Sequence, residues 1–243
     1  MAEVSLNPNV TNNDFTLTTT PFTGDLGAEL IRLDVTDKTG WRDLQKDTDF
    51  DDQPASAYTI TMVTDQTAYI KVGMALKLKV QGSYQYAIVA AITANLLTIS
   101  GKPLTLLDGD LTEIWFDQNP SRVSLLSWHF HNAGAILSAG AQGDRIVPNN
   151  SEVCQVVMMG DISASAQVDL WNEDDAGTLP PQDADSICGG DEPALAADIF
   201  DVKTQFTGWT HSLLRNSIVR VNLDSVSGGL VRLEVVVYLV QTY

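Results

Sequence analysis

Between Asp169 and Ile187 the chain reads DLWNEDDAGTLPPQDADSI, six carboxylates in nineteen residues with no Lys or Arg among them. Carboxylates at this density suit three kinds of chemistry. They can ligate a hard cation, pair as acid and base, or lie in water at the rim of a β-protein. Asn172, Asp174, Ala176, Gly177 and Asp183 fall on positions 1, 3, 5, 6 and 12 of a calcium loop. Position 5 then lacks an oxygen side chain, and position 12 is Asp where a bidentate Glu is wanted. Pro180-Pro181 also obstructs the helix that should follow. An irregular Ca²⁺ site using Asp174 and Asp183 stays open as an alternative. A glycosidase-like pair needs two carboxyl groups at a set separation, and nothing in the pattern selects two of the six. The reading that fits best is a Pro-stiffened inter-strand loop, anchored by Trp171 and Ile187, with its acids in solvent.

His129 and His131 flank Phe130 in WHFHN. On a strand, residues i and i+2 point to one face. Two His per chain around a three-fold axis would offer six nitrogens to an octahedral metal; the alternative is a polar or interface face. Trp128 and Phe130, on the opposite side, are interface candidates. Trp128, Trp171 and Trp209 suit either sugar stacking or core packing. His211, in GWTHS, reads as a loop residue. No G-x-S-x-G elbow exposes a serine, and neither G-x-x-x-x-G-K-[ST] nor G-x-G-x-x-G is present. Catalytic residues and cofactors are therefore expected to be none.

These residues sit in a chain of 243 with 44% hydrophobic content and a net charge of −17. That is enough apolar material for a sizeable core. From Ile146 to Val202 there are twelve acids and no Lys or Arg. Such a surface repels nucleic-acid phosphates and anionic membranes, so neither is an expected partner. No apolar run approaches the roughly 20 residues of a membrane span, and the N-terminal residues lack signal-peptide character. Folding in a cytoplasm is the expectation. Cys154 and Cys188 are too few for a disulfide framework, and Cys154 reads as a small buried hydrophobe.

The pattern along the chain is all-β: an N-terminal extended arm, a small antiparallel β-barrel and a C-terminal jelly-roll-like β-sandwich. Residues 1–56 are expected to be arm and linker, with DTDFDDQPAS as the acidic linker and a short helix or strand before Trp41. Within the arm, DFTLTTTPF alternates apolar residues with threonines, so Phe15, Leu17, Thr19 and Phe22 are candidate partner contacts, presented by adding a strand to a neighbour's sheet edge. Residues 57–117 hold short strands. In ALKLKV the lysines alternate with apolar residues, predicting one wet face and one buried face, and QGS marks a hairpin turn. DQNPSR is a second linker. Residues 123–243 form the sandwich. There Val153–Met159 is a nearly continuous apolar strand. ASAQVDLW and IVRVNLD alternate, with Val219, Val221 and Leu223 inward. LVRLEVVVYLV ends wholly apolar, as in a strand covered on both faces. The helical candidate in this domain is a short turn around Pro193–Ile199.

Three stretches of the sandwich, WHFHNAGAILSAGAQGDRIVPNNSEV, VDLWNEDDAGTLPPQDADSI and TGWTHSLLRNSIVRVNLDSVSGGLVRLEVVVYLV, resemble in order a domain of tailed-phage virion proteins. The barrel is similar to a module found beside such domains in tail and baseplate proteins. The resemblance implies a virion structural or attachment protein, usually trimeric, assembled in the host cytoplasm. A short chain opening with an arm, the lack of heptads for a shaft and an acidity that repels packaged DNA favour a head cement or decoration protein on the particle exterior. Its partners would be two further copies and the major capsid protein or other virion proteins. The alternative is a tail-fibre or baseplate component whose sandwich binds a host surface glycan. Where the family tends to have Gly-Asp before the penultimate strand, this chain has Arg215-Asn216-Ser217; Asn can adopt the left-handed conformation of that glycine.

Overall fold

The computed structural model describes residues 40–105, 107–117, 122–174, 177 and 179–242. The arm with Phe15, Leu17, Thr19 and Phe22 lies outside the described residues. Those residues form two antiparallel sheets of seven strands each, so the fold is all-β.

The first sheet runs β1 (Arg42–Leu44), β7 (Leu111–Asp117), β4 (Ala75–Val80), β5 (Ser83–Ile92), β6 (Leu96–Gly101), β3 (Thr59–Met62), β2 (Phe50–Ser56). Its two outermost strands, β1 and β2, are consecutive in the chain and joined by the turn at 45–49, so the sheet curls into a nearly closed barrel with β2 against β7. Phe50, Ile60, Leu76, Leu78, Leu97 and Ile114 fill its interior. The β4–β5 hairpin turns on Gln81 and Gly82, both at positive φ, the twist a two-residue hairpin requires. Residues 42–56, expected to be arm and linker, supply β1 and β2 of this sheet. The wet face expected of ALKLKV holds for Lys79 but not for Lys77. Lys77 is buried with its ammonium 4.9 Å from the Trp115 ring centroid and 5.5 Å from that of Trp41. Desolvation of that cation is offset by the π-faces around it.

The second sheet is organised by one strand. β10 (Ser151–Glu173) is 23 residues long. Its first part pairs with β14 (Arg232–Gln241) and its last part with β13 (Ile218–Ser227). β11 (Ala194–Lys203) runs along its other edge through two register shifts, and β12 (Ser212–Leu213) pairs at its start. β8 (Val123–His131) extends the sheet beyond β14, and β9 (Gln142–Ile146) extends it beyond β13. β10 thus passes between the two layers of a sandwich. Val219, Val221, Leu223, Val235, Val237 and Leu239 all point into the core with no exposed surface, as the alternation predicts. Residues 194–199, read as a helical turn, are the start of β11. An open edge of β10 captures them, with Ala197 at φ 57 absorbing the irregularity; tertiary pairing overrides local propensity. Asn216 takes φ 70, the left-handed turn expected of it. Cys154 and Cys188 are buried free thiols.

The two sheets meet over Trp41, Tyr86, Ile88, Cys154 and Val240. Hydrogen bonds stitch the joint: Tyr86 N–H donates to Glu152 Oε2 at 2.9 Å, the Ser100 hydroxyl to the Cys154 carbonyl, Gly101 N–H to the Thr204 carbonyl at 3.1 Å, and Phe206 N–H to the Tyr58 hydroxyl at 3.2 Å. Burial pushes the Glu152 carboxyl above its ordinary value, partly opposed by the Tyr86 N–H. Arg122 Nε donates to Asp117 Oδ2 at 2.6 Å, and its guanidinium lies 5.0 Å from the Trp41 ring centroid. Both charges are buried, so the pair fixes the geometry where the chain crosses between the sheets. His211, read as a loop residue, is buried within this seam against Phe206, and burial lowers its pKa.

Candidate functional site

Strands β8, β14, β10 and β11 present one outer face whose character changes along its length. Val123 and Val240 lie under the barrel. Leu125, Tyr238 and Gln155 follow, then Ser127, Val236, Val157 and Val202, then His129, Glu234, Met159 and Phe200, each row aligned by cross-strand register. The last row pairs His131 with Arg232. Leu125, Met159 and Phe200 are each about half exposed, at 55%, 48% and 51%. β14 is therefore covered on both sides only near Val240; at Val236 its outer side is open among the described residues.

The far end of this face is a groove of about 380 Å³ lined by His129, His131, Met159, Asp161, Arg232 and Glu234. His129 Nδ1 sits 3.7 Å from Glu234 Oε1. Asp161 Oδ1 accepts the backbone N–H of Arg232 at 3.0 Å and of Val231 at 3.1 Å, and these donors hold its carboxyl below the usual value. Two imidazoles, one guanidinium and two carboxylates surround a thioether, a mixture suited to a polar, hydrogen-bonding partner rather than to a single ion. Among the described residues no three His, Cys, Asp or Glu side chains gather as a metal site. Trp128 and Phe130, at 1% and 8% exposure, point into the sandwich core instead of offering a contact surface. Trp128 Nε1 donates to the Gly143 carbonyl at 2.7 Å, and a Cβ at Gly143 would lie 2.8 Å from Trp128 Cδ1. The indole thus latches β8 to β9 across the open side of the sandwich.

The acidic stretch is a loop that folds back on β10. Trp171 and Ile187 anchor it: Trp171 bridges Ser186, and Ile187 N–H donates to the Leu170 carbonyl at 2.9 Å. Its acids are not all in solvent. Asp169 is buried and accepts from Trp171 Nε1 and Ser186 Oγ, both at 2.7 Å. It is a strut, and alternation alone would have aimed it at water. Asp183 opens a short 3₁₀ turn over Asp183–Asp185, with Asp185 accepting from Gln182 N–H. Asp174 follows directly on β10, its N–H donating to Glu173 Oε1.

No family model matches the chain, and no curated protein does. Three solved structures show some likeness. One is an archaeal-virus protein with a triple jelly-roll fold from a turret assembly, at 12% identity and a TM-score of 0.24, covering 78% of this chain and 51% of that one. The chain therefore spans about half the length of that protein. The major capsid protein P2 of bacteriophage PM2 matches at 9% identity and a TM-score of 0.24, covering 84% and 97%. An isomalto-dextranase of Arthrobacter globiformis T6, complexed with panose, matches at 10% and 0.24, covering 81% and 36%. At such scores none of the three carries an argument about this chain.

Proposed function

We propose that this chain is a phage virion structural protein, without enzymatic activity, that decorates the capsid exterior as a trimer and stabilises the shell. The observation that carries the reading is the stitched joint. Backbone and side-chain hydrogen bonds tie the barrel to the sandwich, a joint suited to bearing load. The ordered resemblance of residues 128–240 to virion domains points the same way. Decoration needs many weak contacts acting together, and three arms per trimer raise effective concentration so that avidity exceeds single affinity by roughly 10²–10⁴. Phe15, Leu17, Thr19 and Phe22 are the arm's contacts in this reading. Deleting residues 1–22 then leaves a folded trimer that no longer saturates purified capsids. Binding of the full chain weakens with salt, since a basic patch is the natural partner for a net charge of −17. Undiminished decoration by the truncated protein defeats the proposal.

The groove around His131, Asp161 and Arg232 favours a second reading, a tail or baseplate component that holds a host surface glycan there. Full-length protein that ignores capsids but binds cell-wall polysaccharide, and loses it on Arg232→Ala, selects that reading.

A further inference from the structure

The groove of about 380 Å³ lies where β10 leaves one layer for the other. Its pairing with β14 ends at Gly160 opposite Leu233, and its pairing with β13 starts at Ser165 opposite Ser227. Asp161 fills the step between them and holds the backbone N–H groups of Val231 and Arg232. Strand register then fixes the walls. His129 stands opposite Glu234, and Glu234 opposite Met159, while His131 stands opposite Arg232. The charged and titratable groups lining the groove are therefore His129 and His131 from β8, Arg232 and Glu234 from β14, and Asp161 from β10. With both imidazoles neutral, one guanidinium faces two carboxylates, and negative charge is in excess. With both protonated, three cations face the same two carboxylates, and the excess is positive. Histidine is the side chain that makes this change between about pH 5 and 8. Asp161 stays a carboxylate over that range, because its two backbone donors hold it below the usual value. The sign of the groove thus reverses on a chain whose net charge is −17.

We propose that the groove binds the carboxylate of an acidic sugar and does so with its imidazoles protonated. This deepens the glycan-holding reading and rests on it. A planar guanidinium takes a carboxylate through two parallel hydrogen bonds, and Arg232 supplies one. Directly opposed residues of an antiparallel pair lie about 4.5–5.5 Å apart at Cβ, and like charges there repel. Protonating His131 beside Arg232 is therefore unfavourable until an anion sits between them, so ligand and proton bind together. Linkage makes the effect reciprocal. His129 Nδ1, 3.7 Å from Glu234 Oε1, answers that carboxylate when it protonates and lowers its repulsion of the ligand. The Met159 thioether offers polarizable surface to a sugar ring. The groove's volume lies near the lower end of small-ligand sites, roughly 300–1,000 Å³, which suits the end of an oligosaccharide.

Calorimetric titration of the full chain with an oligogalacturonide tests it, with the methyl ester of the same oligomer as the uncharged control. The acid should bind roughly tenfold or more tightly at about pH 5.5 than at about pH 8, and the ester should show no such dependence. Repeating the titration in buffers of different ionisation enthalpy should reveal net proton uptake on binding. His131→Gln should flatten the pH dependence, and Arg232→Ala should abolish selection of acid over ester. Both side chains are exposed, so each variant folds. Equal binding of acid and ester overturns the proposal and leaves the glycan reading standing. Binding of neither also overturns it, and the polysaccharide test of Arg232→Ala then decides the glycan reading separately. Acid-selective binding that persists in Arg232→Ala, or that releases protons, overturns it as well.

Discussion

The barrel and the sandwich solve the problem of sheet edges in opposite ways. In the barrel, the first and second strands are neighbours in the chain, and the turn between them brings the sheet's two ends together. Every barrel strand but these two has partners on both sides. Among the described residues the sandwich hangs most of its pairing on β10 and leaves β8 and β9 as ends, tied to each other by an indole hydrogen bond. A closed sheet gives up its capacity to recruit strands, and an open one keeps it.

Five substitutions break or sharpen that contrast. Val237→Asp puts an unpaired carboxylate at a fully buried position, at a cost of several kcal/mol. Chemical denaturation should show the sandwich unfolded or nearly so, and wild-type melting would refute the inward facing of Val237. Gly143→Val attacks the latch: its Cβ needs space that Trp128 Cδ1 occupies at 2.8 Å. Overpacking of this kind costs about 1–3 kcal/mol, read as a lowered urea midpoint, with faster amide exchange in β8 and β9 than in the barrel. Asp169→Asn weakens two hydrogen bonds at a buried strut and should cost about 1–2 kcal/mol. Asp174→Asn, in the same loop, should stay within about 0.5 kcal/mol, and equal effects would erase the distinction between strut and solvated acid. The last effect belongs to the barrel surface. Burial, with Glu113 nearby, raises the Asp43 carboxyl from 3.8 to about 6. The folded state therefore holds this proton more tightly than the unfolded one. Its contribution to stability is full below about pH 4 and lost as pH rises through about 6. Because the group is partly exposed, solvent screening keeps the effect below about 1 kcal/mol. The melting temperatures of wild type and Asp43→Asn, compared between pH 4 and 7, should differ by an amount that changes over that window; a constant difference refutes it.

Strands with one buried face are legible from alternation. Val219, Val221 and Leu223 announce β13 because period two is imposed by the pleat. β2 is not legible: Phe50-Asp51-Asp52-Gln53 has one buried apolar residue and acids that reach solvent at the sheet's margin, so composition imitates a linker. Lys77 is hidden for another reason. Its shelter is built from Trp41, Tyr84 and Trp115, which lie on separate segments of the chain, and no local pattern reports such a convergence. The groove is similarly non-local: His129 and His131 are visible as a pair, but Asp161, Arg232 and Glu234 join them only through strand register. Asp169 alternates as an outward residue and is buried because the following loop folds over it.

A single strand that crosses both layers also decides how the molecule answers to force. Tension applied between the two ends of β10 loads its ladders with β14, β13 and β11 side by side, so many hydrogen bonds must rupture at once before the strand slides. Tension applied at the tip of β8, away from β14, opens that ladder one bond after another. The sandwich is therefore anisotropic: stiff to stretching along β10 and easy to unzip from its margin. An attachment made along β10 would withstand load, whereas one made at the tip of β8 would peel.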